Sequence, residues 1–176
     1  ESLIPQFVGN PTFDDLDAFS AQVEERGVRS IRLAPGPHRY PLRDWVIGPW
    51  VEWLASERLP VWMDATHIDP ADLYDALERH SDINVVLSEV HYTHAPWALP
   101  ILRSLPNAYV EVSRFLSTDG IARILDAAGG DRVLFGSRFP DSPMAPQLYN
   151  LHLNGLSNET LTAICAGNLE LLLGTE

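Results

Sequence analysis

The stretch Val133 to Pro143 reads V-L-F-G-S-R-F-P-D-S-P. Its apolar start is strand-forming, and Gly136 with Ser137 ends the strand, so Arg138 is delivered to whatever lies beyond the strand's C-terminal end. A guanidinium holds five donors and a permanent charge, so it must meet a carboxylate, an anionic ligand or water. Working outward, comparable runs occur at Leu3 to Val8, Ser30 to Leu33, Val61 to Ala65, Val85 to Glu89, Tyr109 to Ser113 and Val133 to Ser137. Their starts lie 24 to 31 residues apart with helical patterns between them, which is the βα alternation of a parallel sheet.

The intervening helices carry their own signals. Asp14 to Arg26 places Leu16, Phe19 and Val23 on one stripe. Asp69 is a cap for a helix opened by Pro70 that buries Leu73 and Leu77, and Ser117 or Thr118 caps one carrying Ile121, Ile124 and Leu125. Pro49 after Gly48 suits a helix start with Val51 and Leu54 facing in, and a last helix from about Asn158 to Leu173 stops at Gly174. No linker or low-complexity tract divides the chain, so one domain over residues 1–176 is expected.

Six βα units fit either an open doubly wound sheet or part of an eight-stranded barrel. The first strand runs into Gly9-Asn10-Pro11, with neither G-x-G-x-x-G nor a Walker lysine, which counts against a nucleotide-binding sheet. The strand ends are polar instead, with His38, Asp64 and His67, Glu89 and His91, Ser113 and Arg114, and Arg138. In a βα barrel those ends form the site. The fold expected is therefore α/β, a partial TIM-type (β/α)8 barrel of six βα units, with parallel strands and outer helices.

Composition narrows the partners. Twelve Lys and Arg against 24 Asp and Glu give a net charge of −12, which repels phosphate backbones and anionic membrane surfaces, so neither nucleic acid nor membrane is expected as a partner. No apolar run approaches the roughly 18 residues of a membrane span, and no signal peptide is visible. The single cysteine, Cys165, lies in an apolar helical context and reads as a buried structural thiol, consistent with a reducing, cytoplasmic setting. Because the first residue is Glu1 and not Met, the N-terminus reads as a processing boundary.

Five segments resemble, in order and spacing, the amidohydrolase-related proteins of the metal-dependent hydrolase superfamily. They are Gly27-Val28-Arg29-Ser30-Ile31-Arg32-Leu33, like the family's G-V-x-G-I-x-L; Leu59 to Asp64, like L-P-V-x-x-H; and Asn84 to Glu89, like a strand ending in A-H. Leu134 to Pro140 is similar to L-F-G-S-D-x-P, and Gly167-Asn168-Leu169 with Leu172 to G-N-A-x-x-L. On that alignment the six strands correspond to barrel strands three to eight, and the two preceding βα units, which bear the family's H-x-H pair, are not in this chain. Six strands do not close an eight-stranded barrel, so a homo-oligomer, or pairing with the absent N-terminal segment, is expected.

The resemblance implies a metal-dependent hydrolase, or a related decarboxylase, whose divalent ion is zinc, manganese or magnesium. The histidine positions of the family's fifth and sixth strands match Asp64 and Glu89, and the aspartate position of the eighth matches Arg138. Two carboxylates suit a harder ion than imidazoles do, whereas Arg138 stays cationic and cannot be a base. Asp64, Glu89 and Arg138 are thus the candidate catalytic residues, with Asp64 and Glu89 also the candidate metal ligands. The arrangement expected is one buried ion-pair network in which the Arg138 guanidinium stands in for the metal's charge. His38, His67, His91 and Arg114 are the candidate contacts to a small, anionic substrate; the structural alternative for Arg114 is a pair with a nearby acid such as Glu111. Asn168 is expected to satisfy backbone near the last helix. A barrel that has lost the chemistry and serves as a small-molecule-binding or subunit scaffold is the competing reading.

Overall fold

A computed structural model describes residues 3–175 of the chain; Glu1, whose identity suggested a processing boundary, lies outside them. Six strands, β1 (Phe7–Gly9), β2 (Ile31–Leu33), β3 (Val61–Asp64), β4 (Val85–Ser88), β5 (Ala108–Glu111) and β6 (Val133–Leu134), form one parallel sheet in sequential order. Among the described residues β1 and β6 do not pair with each other, so the sheet is open. Sequential parallel order with right-handed crossovers places the connecting helices on one face, as in a (β/α) barrel.

Side chains alternate across each strand. Ile31, Leu33, Val61, Met63, Val85, Leu87, Ala108 and Val110 face the helices and are buried in one continuous core. The alternate positions, Arg32, Trp62, Asp64, Val86, Ser88, Tyr109 and Glu111, share the opposite face. The sheet's helix-facing side is therefore wholly apolar, while its other side turns polar toward the strands' C-terminal ends.

The first helices are α1 (Leu16–Glu25), capped by Asp15, α2 (Pro35–His38) and α3 (Asp44–Ser56). Pro49 does not start α3 but sits inside it. Losing one helical hydrogen bond and accommodating the ring costs about 3 kcal/mol, and burial of Ile47, Trp50, Val51 and Leu54 offsets it. Next come α4 (Pro70–Arg79), capped by Asp69 as expected, α5 (Ala95–Ser104) and α6 (Gly120–Ala128). Among the described residues no side chain caps α6: Asp119 takes a left-handed conformation there, and the Ser117 hydroxyl is buried beside Gly120 without a hydrogen-bond partner.

The C-terminal region holds α7 (Ala145–Leu153), α8 (Asn158–Thr162), a π-turn at Ala163–Gly167 and α9 (Asn168–Leu173), stopped by left-handed Gly174. The π-turn corrects one expectation. Its extra residue rotates the stripe so that Ile164 points in, and Cys165 is exposed, not buried. Among the described residues no helix is long and apolar enough to cross a membrane.

Candidate functional site

The polar side chains gather where the strands end. Arg32, from the middle of β2, donates Nη1 to Asp64 Oδ1 at 2.7 Å and to Ser88 Oγ at 3.2 Å, and donates Nε to Gln6 Oε1 at 3.1 Å. The Ser88 hydroxyl donates to Asp64 Oδ1 at 2.6 Å. One strand further on, Glu89 spans two guanidiniums: Arg138 Nε donates to Oε1 at 2.8 Å and Arg114 Nη1 to Oε2 at 3.2 Å.

The expected single buried network is thus two networks side by side, and both are partly open to solvent. Arg138 meets Glu89 as anticipated, but Asp64 is taken by Arg32, because Arg32 lies on the neighbouring strand and on the same face as Asp64. Arg114 pairs with Glu89 and not with Glu111, because Glu111 is engaged by Ser113, whose N–H donates to Oε1 and whose hydroxyl donates to Oε2. Glu89 and Arg138, partners in one ion pair, both hold left-handed backbone, with φ of 57° and 56°. For residues with a Cβ this costs on the order of 1–3 kcal/mol each, strain of the kind that gathers at functional sites.

Glu111 differs from its neighbours. Burial raises its carboxyl above the usual carboxylate range and Glu89 adds to this, while the two Ser113 donors and Arg32 work in the other direction. Among the described residues it forms no ion pair. Its carboxyl lies against Gly136 and fills the space a Cβ there would take, 1.7 Å from Oε1, so a side chain at 136 would displace it.

The histidines line the surrounding loops. His38 closes α2, with Nδ1 buried and unpartnered and its ring near Tyr40. His67 sits in a short 3-10 turn against Gly36, in contact with the loop and not with the arginines. His91 stacks on Tyr92, with ring centroids 3.9 Å apart, and shares a capping box with His94. Burial, His91 and Arg114 together lower the His94 imidazole below its usual range, so that ring is neutral beside the arginines. Asn168 donates to the carbonyls of Gly130 and Val133 at 2.7 and 2.8 Å, the backbone role anticipated for it.

Three participants, Arg32, Ser88 and Glu111, were not among the sequence candidates for the site. Their signal was the alternation I-R-L, V-V-L-S and A-Y-V-E, in which the polar member of each strand faces away from the helices. A divalent ion fits the described residues poorly. Both Glu89 oxygens and Asp64 Oδ1 already accept from guanidiniums, which would repel a second cation, and among the described residues no three His, Cys, Asp or Glu side chains are grouped to hold one.

The amidohydrolase profile matches residues 4–174. The chain belongs to the amidohydrolase family. Solved structures agree on the fold: an uncharacterised TIM-barrel protein from Bordetella bronchiseptica is 21% identical, with 96% of this chain and 65% of that one covered and a TM-score of 0.75. Amidohydrolase 2 from Bifidobacterium longum subsp. infantis is 18% identical, with coverages of 85% and 62% and a TM-score of 0.66. A 5-carboxyvanillate decarboxylase from Sphingomonas paucimobilis is 12% identical, with coverages of 95% and 65% and a TM-score of 0.72. This amidohydrolase chain therefore spans less than two thirds of the length of these three structures. No curated protein matches it.

Proposed function

We propose that this chain carries an amidohydrolase-type site that holds a small, carboxylate-bearing substrate for hydrolysis or for loss of CO2. One observation carries the reading. Arg114 and Arg138 each spend one N–H on Glu89, and their side chains stay 38% and 32% exposed, leaving most of both forks without a partner among the described residues. Guanidiniums oriented in this way are suited to a planar carboxylate. With Arg32 they make three cations against the carboxylates of Asp64 and Glu89, an excess of positive charge on a chain whose net charge is −12. Solved structures of the same fold include a 5-carboxyvanillate decarboxylase, whose substrate is of this kind.

In this reading Arg138 and Arg114 bind and orient the substrate carboxylate, Glu89 fixes the two forks, and the loop bearing His91, Tyr92 and neutral His94 borders the ring or chain attached to it. No step passes through a metal; the guanidiniums supply the positive charge. The setting is cytoplasmic. The chain also associates, through the apolar side chains left exposed by its open sheet, among them Val8 and Phe13 on one side and Leu148 and Leu153 on the other. Sedimentation should show species heavier than the 19.6 kDa chain, and a lone monomer at tens of micromolar would count against association.

The enzymatic reading is tested by following CO2 release from hydroxybenzoates and acid release from lactones and esters that bear a second carboxylate. Turnover by the wild-type chain that falls on the order of 100-fold or more in Arg138→Ala, without loss of fold, supports it. Turnover indifferent to Arg138 and Arg114 sinks it.

A further inference from the structure

The end of the sheet away from the mouth holds a second opening. A cavity of about 560 Å³ lies at the N-terminal ends of the strands, bordered by Arg29, Glu57, Arg58, Asn84, Tyr109 and Asp131, with α9 along one side. We propose that this cavity binds a zwitterion, an α-amino acid with an apolar side chain, as a site separate from the carboxylate site at the mouth.

The loops that line the cavity are pinned to one another. Ile31 N donates to the Pro60 carbonyl at 3.1 Å, Val61 N to that of Asn84 at 2.9 Å, Val85 N to that of Asn107 at 2.9 Å and Val110 N to that of Arg132 at 3.0 Å. The cavity is therefore built into the sheet's end, as a preformed site requires. Its sequence carries a further sign. Helices α1 and α3 end in the same turn: Gly27 N donates to Glu24 O and Val28 N to Val23 O in the first, Arg58 N to Ala55 O and Leu59 N to Leu54 O in the second. The left-handed position is Gly27 in one, with φ of 60°, and Arg58 in the other, with φ of 54°. Glycine fits that position without steric cost, so nothing in the turn calls for arginine at 58. The Arg58 side chain lines the cavity instead.

The polar lining is unspent. At the mouth Arg32, Arg114 and Arg138 all meet carboxylates, whereas among the described residues Arg29, Arg58, Glu57 and Asp131 form no ion pair with each other or with any other group. Asn168, only 4% exposed, also lines the cavity; its Nδ2 donates to the carbonyls of Gly130 and Val133, while its Oδ1 accepts nothing among the described residues. Two positive and two negative charges that line one space without meeting decide what suits it. A simple anion leaves Glu57 and Asp131 unanswered, and a simple cation leaves Arg29 and Arg58 so. A molecule with both an ammonium and a carboxylate answers all of them. Leu59, Leu171 and Leu172 add an apolar wall for its side chain.

The test is calorimetric titration of the intact chain with L-leucine, and with 4-methylpentanoate and 3-methylbutylamine, which lack its ammonium and its carboxylate respectively. Leucine should bind, and each of the other two should bind on the order of 10-fold more weakly or not at all. Arg58→Gly, which suits the left-handed turn and so preserves the fold, and Asp131→Asn should each weaken leucine on the order of 10-fold. The Arg114→Ala, Arg138→Ala double variant should bind leucine as wild type does. Leucine that does not bind wild type overturns the proposal, as does equal affinity in wild type and either Arg58→Gly or Asp131→Asn. Either of the other two probes binding as tightly as leucine overturns the assigned class. Leucine binding lost in the double variant instead puts leucine at the mouth and overturns the separate site, while the carboxylate-site reading stands.

Discussion

Glu111 and its neighbours show how much one residue's surroundings decide. Asp64 and Glu89 meet guanidiniums at 2.7 to 3.2 Å, whereas Glu111, on the same face, accepts only the two Ser113 hydrogen bonds among the described residues. Its carboxyl keeps its proton to higher pH in the fold than in the unfolded chain, so its contribution to stability is complete below the ordinary value of 4.5 and is lost as pH rises through the raised, folded value. Glutamine does not titrate. Glu111→Gln should therefore melt higher than wild type at pH 8, with the gap closing toward pH 4; a variant that melts lower at pH 8 would mean the ionised carboxylate supports the fold. The residue types at the mouth were legible in the sequence, since Asp64 ends a strand and Glu89, Arg114 and Arg138 follow within four residues of one, where a barrel places its site. Their pairing was not, because Arg32 sits in mid-strand and reads as a lapse in an apolar run until the face it occupies is known.

At the scale of elements the two ends of the strands do different work. At the start of β5, Asn107 Nδ2 lies 3.1 Å from each of the carbonyls of Leu77, His80 and Ile83, and before β6 Arg132 donates to those of Leu102, Leu105 and Ala108. Asn168 does the same for Gly130 and Val133, tying α9 to β6. These side chains satisfy carbonyls that helix and strand ends leave free, while the charged cluster occupies the opposite end. Asn168→Ala should cost about 1–3 kcal/mol by stranding two carbonyls, measurable by urea denaturation, with benzoate binding unchanged; an undisturbed midpoint would refute that role. The strands were readable because each is a short apolar run at regular spacing, α1 because Leu16, Phe19 and Val23 share one stripe, and α4 because Asp69 caps it. The start of α3 was misplaced because Pro49 lies inside it, and local chemistry there points to a boundary that burial overrides. Cys165 was misplaced for a related reason: the π-turn shifts the 3.6-residue period on which its burial was inferred.

For the whole molecule the governing fact is a cationic mouth on an acidic chain. A net charge of −12 disfavours small anions everywhere except where Arg32, Arg114 and Arg138 outnumber their carboxylates, so the same charge pattern both excludes and selects. The family and the fold follow from the order of the strands and the profile match over residues 4–174; on the proposed function, the choice of substrate falls to this cluster. The most direct test of that claim is the affinity of benzoate for wild type and for the Arg114→Ala, Arg138→Ala double variant, each at low and at moderate salt. The account predicts measurable binding to wild type that weakens as salt screens the site, and binding to the folded double variant on the order of 10- to 100-fold weaker, the loss of one or two charged hydrogen bonds. Equal affinity in the two proteins would contradict it.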